Sequence, residues 1–334
     1  MLEIRRRAYP RAGLIGNPSD GYNGKTIAFS VKNYFAEVVL RESDKLTICP
    51  TVRDESVYDD IHSLHNDISR HGYYGGIRLI KATIKVFVDY CQLSGQPLRS
   101  GNFSLSYFTN IPQQVGMAGS SAIIVATLRA LMEFYVVSIE KQVQPSVVFS
   151  VESDELGIGG GLQDRVIQVY EGAVAMDFSV DAMTRIDRYD VGVYTPIDTD
   201  ALPPLYIAYR PASSEPTEVF HNNLRERYNA GDMAVVSAMK KFVYLTERAM
   251  HLIESNEGSA LGPLLDENFN LRQSMCELNP KHVEMVMAAR RTGVSAKYAG
   301  SGGAIVGAYR DDQQFAQLQN SMEKIGCILI KPIF

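Results

Sequence analysis

The sequence predicts an α+β fold rather than a doubly wound parallel sheet. Its strand-like segments neither alternate regularly with helices nor read as continuous apolar runs, as the strands of a buried parallel sheet would. The first half mixes strands and helices around a stretch rich in glycine and serine, whereas the second half is rich in helices and holds a small sheet. With 334 residues, 46% of them hydrophobic, the chain is long enough to form two domains with buried cores.

Two periodicities in the hydrophobic pattern define the elements of the first half. Ile77, Ile80 and Ile84 recur at the spacing of one helix face, directly after a Gly-Gly pair that interrupts the chain. Residues 102–109 instead alternate apolar and polar side chains, as a half-buried strand does. The predicted strands are residues 27–40 (a strand pair or one long bent strand), 45–49, 102–109 and 173–178, and the predicted helices are residues 75–93, 122–135, 145–156 and 163–170.

A change of composition near residues 187–204 divides the chain. This segment is rich in proline and aspartate and is predicted to be a linker. We therefore predict one domain over residues 1–195 and a second over residues 196–334. The elements predicted for the second domain are a strand at 205–209, long helices within 217–255 and 260–291, and a strand, helix and strand at 304–309, 312–325 and 327–330.

Composition and charge exclude several classes of function. The formal net charge is −5 and the longest basic run is Arg5-Arg6-Arg7, which argues against a nucleic-acid partner. No stretch of about 18 apolar residues could span a membrane, and the first residues lack the apolar segment of a secretory signal. The four cysteines lie far apart, without a C-x-x-C pair, as expected for buried thiols in a reducing compartment. We therefore expect a cytoplasmic protein with no membrane partner.

Residues 111–122 (IPQQVGMAGSSA) form the most informative stretch of the sequence, between an alternating strand and an apolar helix. Small residues let the backbone approach a ligand closely, and a helix N-terminus presents unpaired N–H groups with a partial positive charge. Together these features predict a phosphate-binding loop. The pattern is neither a Walker A loop nor G-x-G-x-x-G. The alternative is that Gly-Ser-Ser only caps the helix.

This loop and two further motifs, one before it and one after it in the chain, resemble three motifs of the GHMP small-molecule kinases. That family includes galactokinase, homoserine kinase and mevalonate kinase. The loop is similar to the second motif of the family, P-x-x-x-G-L-G-S-S-A, with one extra residue as in fucose and heptose kinases. Residues 11–25 (RAGLIGNPSDGYNGK) resemble the first motif, which builds the sugar site, and residues 297–304 (KYAGSGGA) resemble the third, which folds against the phosphate loop. The residues that the resemblance assigns to the ATP phosphates are Pro112, Gly116, Met117, Ala118, Gly119, Ser120, Ser121, Ala122, Gly300, Gly302 and Gly303.

Within the family, the segments GNPSDGY and LQDRV together are similar to the plant-type glucuronokinase branch. This resemblance implies an N-terminal domain with the ribosomal protein S5 domain 2-like fold, a ferredoxin-like C-terminal domain, and an active site between them. It also implies transfer of the γ-phosphoryl group of ATP to the anomeric hydroxyl of D-glucuronate, by a monomer or homodimer. The alternative substrates are other sugars, namely a heptose phosphate, fucose or galactose.

The same resemblance implies ATP and Mg²⁺ at the site and assigns the reactive residues. Asp164 would lie beside the attacking hydroxyl as base or orienting group, with N-capping of the following helix as the alternative. Arg11 would stabilise charge on the transferred group or pair with Asp164. The metal ligands would be Glu152, with Asp154 and Glu155 as rivals, and a loop serine, Ser120 or Ser121.

Residues around the first motif are expected to bind the sugar. The resemblance assigns Asn17, Ser19 and Asp20 to the sugar site, although Asp20 in Ser-Asp-Gly is also typical of a turn. A uronate carries a carboxylate, for which a bidentate arginine is the natural partner. Arg165 and Arg78 are the candidates, and the sequence does not choose between them.

Overall fold

The computed structural model of the chain describes residues 2–51, 54, 75–211 and 224–334. Strands and helices follow one another without regular alternation, which confirms the predicted α+β class. The strands are β1 (Glu3–Ala8), β2 (Arg11–Ile15), β3 (Lys25–Ser30), β4 (Ala36–Ser43), β5 (Thr47–Ile48), β6 (Asn102–Thr109), β7 (Ala173–Asp177), β8 (Thr184–Ile186), β9 (Tyr189–Val191), β10 (Val193–Ile197), β11 (Leu205–Tyr209), β12 (Lys297–Tyr298), β13 (Ala304–Ala308) and β14 (Ile328–Ile330). The helices are α1 (Gly76–Leu93), α2 (Gly119–Tyr135), α3 (Gln144–Ser150), α4 (Gln163–Tyr170), α5 (Met233–Glu254), α6 (Gly262–Met275), α7 (Pro280–Arg290) and α8 (Asp312–Glu323).

The described strands form three four-stranded sheets and one hairpin of β8 with β9. The first sheet has the order β1-β4-β6-β5. Its strands are antiparallel except for β5, which is parallel to β6. The second, β10-β7-β3-β2, and the third, β12-β13-β11-β14, are antiparallel throughout. Because β2 and β12 precede the loops of the first and third motifs, the second and third sheets position those loops.

Helix α2, which follows the predicted phosphate loop, lies in the middle of the first half. Its residues from Ser121 to Leu128 are all buried, and it packs against α1, β1, β4 and α4. A helix that is apolar on nearly every face is stable only inside a core, so this packing fixes its N-terminus in place. Neither α2 nor any other helix in the described ranges is long and apolar enough to cross a membrane.

The end of the sequence returns to the first half of the chain. Ile333 accepts a backbone hydrogen bond from Lys32 at 2.7 Å, and Lys331 accepts one from the Asn33 side chain at 3.0 Å. The Phe334 ring stands edge-on to the fully buried ring of Phe29, with 5.3 Å between ring centres. Residues 331–334 therefore cover part of the core that β3 builds.

Most predicted elements are confirmed within two or three residues, and the exceptions have physical causes. The predicted helix 145–156 ends as α-helix at Ser150 and continues as a π-helical turn, Val151–Glu155. The segment expected to be a linker at 187–204 carries β9 and β10 instead. β10 contains Pro196, which an edge strand tolerates because one side of its backbone needs no partner. The predicted boundary after residue 195 falls inside β10, and the division into two domains stays a prediction.

Candidate active site

The phosphate loop ends where α2 begins, at Gly119, three residues earlier than the pattern of apolar residues predicts. Gly116 and Ala118 both adopt positive φ angles, +71° and +60°, so the backbone bends sharply just ahead of the helix. The N–H groups of the first helical turn have no partner inside the helix, and they carry the positive end of its dipole. This geometry can bind a phosphate group at the N-terminus of α2.

The two serines of the loop differ in their surroundings. Ser121 is 2% exposed, and its hydroxyl donates back to the carbonyl of Ala118 at 3.5 Å. Ser120 is half-buried at the mouth of the loop. Ser120 is therefore the more accessible of the two serines.

The glycine-rich third motif packs directly on the phosphate loop. A Cβ on Gly300 would overlap the carbonyl oxygen of Gly116, and a Cβ on Gly303 would lie 2.9 Å from the Cα of Val115. Arg272 on α6 fixes this turn by donating to the carbonyl of Gly300 at 2.7 Å and to that of Ser301 at 3.0 Å. Glycine is required here because two backbone segments touch with no room for a side chain.

Arg11 on β2 joins the first motif to the phosphate loop and to α4. Its Nε and Nη2 donate to the two carboxylate oxygens of Asp164 at 2.5 and 2.9 Å, and its Nη1 donates to the carbonyl of Gly116 at 2.5 Å. The Arg11 side chain is 7% exposed and that of Asp164 is 20% exposed. A bidentate pair in a largely buried place is strong and fixes both side chains in orientation.

Asp164 lies in the first turn of α4, where the helix dipole favours a negative charge. Burial alone would raise the pKa of Asp164, but the guanidinium groups of Arg11 and Arg165 outweigh burial and hold the pKa below its ordinary value. The carboxylate is therefore ionised at neutral pH. It can accept a hydrogen bond, but it is a weak base toward an ordinary hydroxyl.

Glu152, the predicted metal ligand, pairs with Arg165 in the same region. Arg165 Nε donates to Glu152 Oε2 at 2.7 Å, and Arg165 Nη2 contacts the same oxygen. Both side chains are nearly fully buried, and burial raises the pKa of Glu152 while Arg165 offsets part of this effect. Arg165 also donates to the carbonyl of Gly161 at 2.6 Å and lies 3.8 Å from Asp164. Its guanidinium is thus enclosed by protein groups.

Asp20 lies in the 3₁₀ turn Ser19–Gly21 and lines a small pocket of about 70 Å³. Burial and the neighbouring negative charge of Asp164 raise the pKa of Asp20 to about 6. Four of its eight described lining residues are glycines, so a polar ligand could approach the backbone there. Its described lining residues are Pro18, Asp20, Gly21, Tyr22, Gly159, Gly160, Gly161 and Arg225.

The other residues predicted to bind substrate have different surroundings. The side chain of Asn17 is buried and accepts from Lys297 at 2.6 Å, and that of Ser19 is buried and donates to the carbonyl of Lys25 at 3.0 Å. Arg78 is half-buried on the first turn of α1, and no described ion pair joins it to Asp164 or Asp20. The structure thus brings Arg11, Asp20, Glu152, Asp164 and the two glycine-rich motifs together, and turns Asn17 and Ser19 inward.

Sequence reasoning missed two buried residues that hold the site together. Gln168 is fully buried and donates to the carbonyl of Ala118 at 2.7 Å, so it links α4 to the phosphate loop. Lys297 donates to the carbonyls of Gly13 and Tyr298 as well as to Asn17, so it joins the first and third motifs. Gln168 follows Asp164 by one helical turn, so the sequence alone could have placed both side chains on the same face of the helix. Nothing in the spacing of Lys297 indicates its partners.

Comparison with known proteins agrees with this geometry. Residues 78–172 match the family model described as the GHMP kinases N terminal domain. The chain is 43% identical to Glucuronokinase 1 of Arabidopsis thaliana over 310 residues, which cover 91% of this chain and 84% of that protein. It also shares the fold of the Methanococcus jannaschii mevalonate kinase, with 17% identity, coverage of 100% and 99% of the two chains, and a TM-score of 0.73. The Lactococcus lactis galactokinase complexed with galactose has a TM-score of 0.74, with 15% identity and coverage of 99% and 93%.

The family match covers nearly all of α1, the phosphate loop, α2 and α4, and it includes the buried pair of Glu152 with Arg165. The relative extends the similarity to 91% of the chain. The chain therefore belongs to the GHMP kinases and is a phosphotransferase with an alcohol group as acceptor.

Proposed function

We propose that this enzyme transfers the γ-phosphoryl group of ATP to the anomeric hydroxyl of D-glucuronate and releases glucuronate 1-phosphate and ADP. The observation that carries the proposal is the position of the Arg11–Asp164 pair. Arg11 touches the phosphate loop through the Gly116 carbonyl, and Asp164 is close enough to Asp20 to raise its pKa. The Arg11–Asp164 pair thus lies between the phosphate loop, where ATP would bind, and the pocket lined by Asp20, where the sugar would bind. The name of the Arabidopsis relative supports the choice of glucuronate.

In the proposed reaction, Asp164 accepts a hydrogen bond from the acceptor hydroxyl and orients it toward the γ-phosphorus. A bond forms between the hydroxyl oxygen and the γ-phosphorus, and the bond to the β–γ bridging oxygen breaks, leaving ADP. The lowered pKa of Asp164 makes early deprotonation unfavourable. The proton therefore passes to Asp164 late, after the oxygen has become acidic, as fits the loose transition state of phosphoryl transfer.

Arg11 and α2 supply positive charge on the phosphate side. The N–H groups at the start of α2 would bind phosphate oxygens of ATP, and the Arg11 guanidinium would offset charge that develops on the transferred group. Since both are fixed by packing and hydrogen bonds, little reorganisation is needed during the reaction. Orientation and preorganised charge are the main sources of rate in this chemistry.

Oxygen donors of the site would hold Mg²⁺ in the proposed reaction. This ion prefers hard oxygen ligands and is commonly held by one or two carboxylates together with substrate phosphates. Ser120 Oγ and Glu152 would hold it with the phosphates of ATP, and Glu152 retains a second oxygen beside the Oε2 that faces Arg165. Bound Mg²⁺ would neutralise phosphate charge.

A substrate panel tests the proposed reaction. ADP release should be fastest with D-glucuronate when compared with galactose, fucose, a heptose phosphate and mevalonate at saturating Mg·ATP. ³¹P–¹H correlation of the product should place the phosphate on the anomeric carbon. A preference for a neutral or phosphorylated sugar, or a phosphate on another carbon, would contradict the proposal.

Ser120→Ala should raise the concentration of Mg²⁺ needed for half-maximal activity and lower kcat, about tenfold or more, because one hydroxyl that faces charged groups is lost. Ser121→Ala is the matched control, since the Ser121 hydroxyl is buried and donates to the carbonyl of Ala118, the residue just before the helix. The measurement is a titration of activity with Mg²⁺ at fixed ATP. A larger effect in Ser121→Ala than in Ser120→Ala would reverse the assignment.

The raised pKa of Asp20 predicts a step in sugar affinity. As the pH falls through about 6, Asp20 takes up a proton and loses acceptor capacity for sugar hydroxyls, so kcat/KM for the sugar should fall. Above that pH the carboxylate is ionised and kcat/KM should be constant. The profile is measured between pH 5 and 8 at saturating Mg·ATP. Asp20→Asn should bind the sugar more weakly and lose this step, and a step that persists in Asp20→Asn would rule out Asp20 as its source.

A further inference from the structure

Arg225 is a cation at the acceptor pocket that neither the motifs nor the proposed reaction uses. It lies at the start of helical residues 224–229, is exposed, and lines the same pocket as Asp20. The other described lining residues, apart from Asp20, are uncharged: a proline, a tyrosine and four glycines. The pocket therefore presents one negative group and one positive group to a ligand.

The guanidinium of Arg225 is held in place without being neutralised. It lies over the ring of Tyr22 at 4.8 Å from the ring centre, and its Nη2 is 3.2 Å from the position that a Cβ on Gly21 would occupy. The preceding residue, Leu224, is buried in a cluster with Tyr22 and Phe242, which anchors the backbone. Within the described part of the chain, no carboxylate forms an ion pair with Arg225. Its N–H donors are thus oriented and available to a ligand.

The arginines expected from the sequence are less suited to this role. Arg165 is 4% exposed, and its guanidinium faces Glu152, Asp164 and the carbonyl of Gly161. Its donors are therefore engaged by protein groups. Arg78 is not among the described residues that line the pocket.

We infer that Arg225 binds the carboxylate of a sugar acid and selects sugar acids over neutral sugars, an inference that rests on the proposed function. A planar guanidinium matches a carboxylate in a bidentate pair, and the tyrosine beneath it limits its freedom. Asp20 would accept from the hydroxyls of the same sugar. A sugar acid without a cation beside it would bring its negative charge close to Asp20 and Asp164, whereas a neutral sugar needs no such partner.

The inference predicts that removing the Arg225 guanidinium lowers kcat/KM for a charged substrate and not for a neutral one. Arg225→Gln should lower kcat/KM for D-glucuronate by about 10- to 100-fold, mostly through KM, since a charge-assisted pair is lost. The neutral analogue D-glucuronamide has the same ring and anomeric hydroxyl, so its kcat/KM should change little. The wild-type preference for glucuronate over glucuronamide should shrink by the same factor. Arg225→Lys keeps the positive charge but cannot form the bidentate pair. Its kcat/KM for D-glucuronate should lie between those of the wild type and Arg225→Gln.

A matched control separates this role from general effects of removing a surface arginine. Arg248 is also exposed and also lies over a tyrosine ring, that of Tyr244 at 5.8 Å, but it is on α5 outside the pocket lining. Arg248→Gln should leave kcat/KM for both substrates unchanged. The KM for ATP and the circular dichroism spectrum of each variant report whether the fold is intact, and Arg225→Lys provides the test if the glutamine variant does not fold.

The outcomes distinguish the inference from the proposed function. If the wild-type enzyme phosphorylates glucuronate and the folded Arg225→Gln variant keeps the preference for it over glucuronamide, the inference is wrong and the function stands. An equal loss on both substrates would mark Arg225 as a structural residue and would also overturn the inference. If the wild-type enzyme does not phosphorylate glucuronate at all but accepts neutral sugars, both statements are wrong.

Discussion

Asp164→Asn should lower kcat by about 10²- to 10⁴-fold, the usual contribution of a positioned acid–base group, while ATP still binds. The amide can neither take the proton of the acceptor hydroxyl nor balance the charge of Arg11, which contacts both carboxylate oxygens. The measurements are steady-state kinetics with D-glucuronate and calorimetric binding of Mg·ATP. Asp181→Asn, which changes an exposed turn acid outside the site, is the control and should behave as wild type.

A double variant separates the catalytic role of Asp164 from its structural role. Removing one partner of a buried pair leaves the other uncompensated, so Asp164→Asn also lowers stability. The double variant Arg11→Gln/Asp164→Asn removes both charges and should regain part of that stability. Its kcat should stay at least as low as that of Asp164→Asn. Recovery of kcat together with stability would mean that Asp164 serves only to neutralise Arg11, and near wild-type turnover in Asp164→Asn would refute the catalytic assignment outright.

Gly300→Ala should weaken ATP binding and lower the free energy of unfolding by about 1–3 kcal/mol, as overpacked sites do. The added methyl group would overlap the carbonyl oxygen of Gly116 and lie 2.8 Å from Nη1 of Arg11. Because the obstacle is backbone, the third motif and the phosphate loop must move apart. That movement disturbs the contact between Arg11 and Gly116 as well as the N-terminus of α2. The measurements are the KM for ATP and denaturant-induced unfolding.

The control for this substitution is Gly262→Ala at the start of α6. There the nearest atom to the added methyl group is 3.6 Å away, which is an ordinary contact, and the backbone is helical. Replacing glycine by alanine in a compatible conformation usually stabilises by about 0.4–1 kcal/mol. The KM for ATP should not change. Unaltered ATP affinity in Gly300→Ala would show that the two loops do not depend on each other.

The regular elements could be predicted where one periodicity dominates. Strand β6 coincides with the predicted 102–109, and α4 coincides with 163–170. Strand β1 was missed because its Arg5-Arg6-Arg7 run gives no alternation. The strand lies at the edge of its sheet, where these exposed arginines pair with Glu3, Glu37 and Glu133. Strand β2 was missed because all five of its residues, including Arg11, are buried, so no polar face marks it.

The site itself could be predicted only in part. Arg11 and Asp164 are 153 residues apart, and no local pattern relates them, so their pairing came from resemblance to a family and not from spacing. Whether Ser120 or Ser121 faces the ligand depends on side-chain direction at a helix start, which composition does not encode. The candidates for the substrate carboxylate, Arg165 and Arg78, were chosen by residue type. Arg225 became a better candidate only when the pocket brought it beside Asp20.

The return of residues 331–334 to the first half has a consequence for synthesis of the protein. The ring of Phe29 leaves the ribosome long before that of its neighbour Phe334, because nearly the whole described chain lies between them. During synthesis the apolar surface around Phe29 therefore stays uncovered until residues 331–334 have been made. An uncovered apolar surface can bind chaperones or associate with other chains. We therefore expect the yield of folded protein to depend on chaperone supply and on translation speed, even if the folded enzyme is stable.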